Sequence, residues 1–146
     1  MIVAEFEQLR ALEDKEIIDD LEFTVTANPD IYRCEKNLGT FNGHEVILNA
    51  TYYDHIPSVT FNFRVKGFKA ICRYCINDTG HKDKQTGRLT RTHKHTPETE
   101  DCFRNNLPLV TERTEFTIAG FQDVEIIWRS ICNEANILHG GKIIKN

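Results

Sequence analysis

Between Arg88 and Glu98 the chain runs RLTRTHKHTPE, which sets His93 and His95 one residue apart amid Arg88, Arg91 and Lys94. Imidazoles titrate near neutrality, so two of them can divide the proton transfers of an acid–base reaction. Cleavage of RNA by its own 2′-hydroxyl is such a reaction. One group deprotonates the attacking hydroxyl and another protonates the leaving 5′-oxygen, while fixed cations hold the non-bridging phosphate oxygens. His93 and His95 are the candidate base and acid, in either order, and Arg73, Arg88, Arg91 and Lys94 the candidate phosphate ligands. Tyr74 adds a hydroxyl or a surface on which a base could stack. This chemistry needs no metal and no other cofactor.

The alternative is zinc. Cys72 and Cys75 precede the His-x-His pair, and two thiolates with two imidazoles make a tetrahedral site: Cys72, Cys75, His93 and His95. Both cysteines fall in an expected strand, however, where positions three apart face opposite sides. CRYC also lacks the glycine that helps a zinc knuckle turn, so buried, unliganded thiols are the expectation. A His-x-His on a strand does put both rings on one face, which keeps a looser site with Asp78 or His81 open. No nucleophile elbow or protease-type cysteine motif surrounds any of the five cysteines.

The net charge of −4 argues against a nucleic-acid binder until its distribution is considered. Residues 1–22 carry eight acids against two bases, whereas residues 64–95 carry nine bases against two acids. Such asymmetry suits a site for an anionic partner. An odd, scattered set of cysteines suits a reducing, cytoplasmic setting. The N-terminus has no basic start leading into an apolar block, so no signal peptide is expected, and no apolar run approaches a membrane span.

The elements that must position these groups are those of a single α+β domain over residues 1–139, followed by a flexible tail over 140–146. Phe6, Leu9 and Leu12 with their acidic neighbours predict an N-terminal acidic helix. Residues 22–76 read as strands: Asn42-Gly43 signals a hairpin, and SVTFNFRVK alternates apolar and polar positions. Short connections predict an antiparallel meander of about five to six strands, counting TEFTIAG as a last one. Periodicity stops between Asn77 and about Pro108, which predicts a long functional loop holding the histidines. FQDVEIIWRSICNEAN then predicts a C-terminal amphipathic helix.

The order ICRYCIND, TGHKD, HKH and FQDVEIIWRSI resembles the C-terminal half of TumE-type toxins from bacterial toxin–antitoxin modules. Arg73 and Tyr74 match that family's Arg-Tyr-Asp-Asn run, Gly80 and Asp83 its turn, and His93 and His95 its His-x-His. Cys75 stands where the family has aspartate, and the stretch before His93 is longer. The resemblance implies a toxin-like RNA endonuclease restrained by an antitoxin protein, with RNA as substrate, Tyr74 or Asp78 orienting a histidine, and homodimerisation left open. The competing expectations are a non-catalytic module binding nucleic acid or protein through the same basic surface, and a structural zinc protein.

Overall fold

In the computed structural model of the chain, the alternating segment Ser58–Val65 becomes a strand buried at every second position, and an extended sheet is built around it. The structure describes residues 15–41, 43–67, 72–77, 81–82, 89–90, 92–96, 110–113 and 116–146. In chain order the strands are β1 (Lys15–Ile17), β2 (Leu21–Val25), β3 (Ile31–Phe41), β4 (His44–Tyr53), β5 (Ser58–Val65), β6 (Cys72–Ile76), β7 (His81–Lys82), β8 (Leu89–Thr90), β9 (His93–Thr96) and β10 (Val110–Arg113). A short 3-10 turn (Phe121–Asp123) leads into helix α1 (Val124–Glu134), and β11 (Ile137–His139) and β12 (Ile143–Lys145) follow.

Eight strands form the main sheet in the order β10-β9-β6-β5-β4-β3-β2-β12, antiparallel except for the parallel pair β2–β12. A parallel β1–β11 pair and a small β7–β8 pair stand apart from it. The hairpin signal holds: Phe41 pairs with His44, and Gly43 takes a φ of +81°, a value that costs glycine little.

Register carries the alternation across the sheet. Tyr32, Tyr52, Val59 and Ile76 form one row, Cys34, Ala50, Phe61 and Tyr74 a second, and Leu48, Phe63 and Cys72 a third. These rows face α1, whose Val124, Ile127, Trp128, Ile131 and Cys132 are buried. Trp128 stacks on Phe61 and Phe63, with centroids 5.4 and 6.0 Å away. Its indole Nε1 donates to His139 Nδ1 at 3.0 Å, which leaves the other imidazole nitrogen to donate to the Asp19 carbonyl at 2.7 Å. Between the apolar rows, on the opposite face, run two polar ones: Arg33, Thr51, Thr60, Cys75, His93, and Glu35, Asn49, Asn62, Arg73, His95.

Three expectations change. The expected loop over 77–107 contains β7, β8 and β9, and β9 is an integral strand of the main sheet. It pairs with β10 on one side and with β6 on the other, and no local periodicity announces the pairing with β6. The expected tail holds β12, because the ends of the described chain lock together. Arg129 donates to the carbonyls of His139 and Gly141 at 2.5 and 2.9 Å, and the Lys142 amide donates to Asp20 Oδ1 at 2.7 Å. A Cβ on Gly141 would sit 2.4 Å from the Asp19 carbonyl oxygen, so only glycine fits there. Finally, Phe116–Gly120 is not a strand. The N-terminal acidic helix falls outside the described residues, and the chain enters them as a strand at Lys15. Among the described residues no helix is long and apolar enough to cross a membrane.

Trp128→Ala is expected to cost about 3–5 kcal/mol in urea unfolding, since it removes the ring on which two sheet aromatics stack. Ile126→Ala on the exposed face of the same helix should stay within about 0.5 kcal/mol. Burial pushes the Cys34 thiol up to about 11 and the Cys132 thiol up to about 12, from an ordinary 9.0. The fold thus favours the protonated thiols: their contribution is full below pH 9.0 and is lost as pH rises through 11–12. Urea midpoints should fall as pH climbs past 9.0, and a flat profile there would contradict the burial.

Candidate metal centre

β6 lies between β5 and β9, and its register with β9 pairs Arg73 with His95, Tyr74 with Lys94, and Cys75 with His93. Directly opposed residues share a face, so this pairing sorts the candidate residues into two groups.

Tyr74 and Lys94 point toward α1. Tyr74 is 2% exposed, and Lys94 Nζ lies 5.9 Å from its ring centroid and 2.5 Å from Glu134 Oε1. Burial holds the Tyr74 hydroxyl well above its usual range, with Cys72 and Glu134 adding to the effect. Tyr74 thus lies on the face of the sheet opposite His93 and His95, and Lys94 pairs with Glu134 on that same side. Cys72 also faces this side, opposite Phe63. The four-residue set Cys72, Cys75, His93 and His95 is therefore split by the sheet, for the reason the strand geometry gives.

Cys75, His93 and His95 come together on the other face. Their ligand atoms all lie within 4.8 Å of one another, and the two imidazoles meet edge to face with centroids 4.6 Å apart. Cys75 is 1% exposed, His93 0% and His95 5%. Donor atoms around a tetrahedral zinc ion sit roughly 3.5 Å apart, from metal–ligand bonds of about 2.0–2.3 Å. The trio is thus within side-chain rotation of closing on an ion, and a thiolate with two imidazoles is a donor set that suits zinc or cobalt.

Arg73 stands beside this trio, opposed to His95 and two residues from Cys75 along β6. Its Nε is buried, as is Oδ1 of Asn62, its neighbour across β5, and among the described residues neither atom has a hydrogen-bond partner. Asp78, Arg88 and Arg91 lie outside the described residues. Sequence reasoning joined Cys75 to the histidines only in company with Cys72, as part of the alternative zinc set. The signal for Cys75 was the period-two run Arg73-x-Cys75, which matches His93-x-His95 once the two strands are neighbours. No protein-family model, curated protein or solved structure matches the chain, so what this centre can do follows from its geometry alone.

Proposed function

We propose that this protein binds a divalent transition-metal ion, zinc foremost, through Cys75, His93 and His95. The observation that carries the proposal is the convergence of one thiol and two imidazoles, all buried, within 4.8 Å on a single sheet face. One thiolate and two imidazoles are a donor set that zinc takes, and a shared ion would engage all three at once. Because the ligands come from both β6 and β9, the ion would also fasten β9 to the sheet. Arg73 gives the centre a second positive charge, so an anionic oxygen reaching the metal would meet a guanidinium as well. The described cysteines Cys34, Cys72, Cys75 and Cys132 are buried and form no disulfide, which fits a reducing compartment such as the cytoplasm.

The second reading is the toxin-like ribonuclease without metal, in which His93 and His95 move protons on an RNA substrate and an antitoxin restrains them. The placement of Arg73 beside His95 favours it. Against it, imidazoles 0% and 5% exposed have little surface to offer a macromolecular substrate.

Elemental analysis of protein purified without chelator should find about one zinc per chain. Cobalt substitution should give a thiolate-to-metal charge-transfer band that Cys75→Ser abolishes and Cys72→Ser leaves intact. His93→Ala or His95→Ala should weaken metal binding by more than the roughly 10–100-fold typical of outer-shell changes. Affinity should fall as pH is lowered, because protons compete for the same ligand atoms. Metal-free protein that cleaves RNA in the presence of chelator, and loses cleavage in His95→Ala, would replace this proposal with the second reading.

A further inference from the structure

At the other end of the sheet, three rings close around one ammonium group. Lys145 Nζ, from edge strand β12, lies 5.1 Å from the Tyr32 ring centroid, 5.6 Å from Phe121 and 5.9 Å from Tyr52. All three distances fall within the range in which a cation is attracted to an aromatic face. Asp54 supplies a carboxylate, its Oδ1 being 3.7 Å from Nζ and accepting a hydrogen bond from the Tyr52 hydroxyl at 3.0 Å. The rings are set by packing rather than by the lysine. Tyr52 is 1% exposed, its ring lies 5.2 Å from Phe121 and 6.2 Å from Tyr32, and Phe121 also meets Phe23 edge to face at 5.5 Å. A lone surface cation–π contact needs one ring. Three packed rings with a carboxylate beside them make a receptor for an ammonium ion.

We propose that Tyr32, Tyr52, Phe121 and Asp54 form a binding site for alkylammonium ions, quaternary ammonium above all, and that Lys145 occupies it as an internal ligand. Rings in such a cage contact methyl groups as well as charge, so a methylated ammonium gains more from it than a strongly hydrated primary amine does. Lys145 is suited to be displaced. It is carried by a three-residue strand that, among the described residues, pairs only with β2, and its side chain keeps 32% of its exposure. An external ammonium ligand would therefore compete with the strand's own anchor and loosen β12 from β2.

The test uses Lys145→Ala and, as a second variant that keeps the stem, Lys145→Gln. Melting temperatures are measured in tetramethylammonium chloride, in sodium chloride at the same ionic strength, and with the neutral isostere neopentane-like tert-butanol at matched concentration. Both variants should show a saturable rise specific to tetramethylammonium and should bind it more tightly than the wild type, in which Lys145 competes. Adding Tyr32→Ala to either variant should weaken that binding about tenfold. Tighter capture of Nε-trimethyl-lysine would mark a side chain as the natural cation, and equal or weaker capture a small solute. Equal responses to tetramethylammonium and sodium, or equal affinity in wild type and variants, would overturn the proposal. A variant that folds only in tetramethylammonium would support it.

Discussion

Everything in this fold depends on strand register. A side chain's face is decided by whether its position is odd or even along the strand, and a slip of one residue would exchange the two faces completely. Here the aromatic rows built on Phe61 and Phe63 are covered by Trp128 and the rest of the buried α1 stripe, with Phe23 and Phe121 packed alongside, so the register of β3 to β6 has one value that keeps them covered. Once that value is set, Cys75 must lie on the face away from the helix, and so must any residue that β9 pairs with it. The chemistry on the polar face is thus fixed by hydrophobic packing on the other.

The same constraint explains why neighbouring residues in the sequence have such different surroundings. Tyr74 sits under the helix with an ammonium over its ring, while Arg73 and Cys75 on either side of it look out from the opposite face. Lys94 is drawn to Glu134, while His93 and His95 flank it on the far side. Cys34, Cys72 and Cys132 behave as small apolar side chains among the core residues, whereas Cys75 has imidazoles for company.

Much of this was legible where local pattern and tertiary structure coincide. The alternation of SVTFNFRV, the Asn42-Gly43 hairpin and the helical spacing of Val124, Ile127, Trp128 and Ile131 each carry their own physical signal. Within the site, strand alternation alone puts Cys72 and Cys75 on opposite faces. What escaped were pairings chosen by distant partners. HKHT carries two imidazoles and a lysine, with Thr96 as its one β-branched residue, so its membership of the sheet depends on β6. KIIKN is short and follows two glycines, and only the edge of β2 makes it a strand.

That last pairing has a consequence for how the chain reaches this state. The Lys142 amide and Asp20 are 122 residues apart, whereas the hairpins joining β3, β4 and β5 close over a few residues each. Closing a long loop costs more chain entropy than closing a short one, and non-local pairings are correspondingly slow. The local hairpins therefore close at less entropic cost, and the outer edge of β2, whose other side pairs with β3, is left for β12. On a ribosome that edge waits until Ile143–Lys145 has been synthesised and has emerged, with one row of amides and carbonyls open to any other extended chain nearby. The small parallel strand thus covers the β2 edge and becomes the sheet's own edge there, three residues long in place of five.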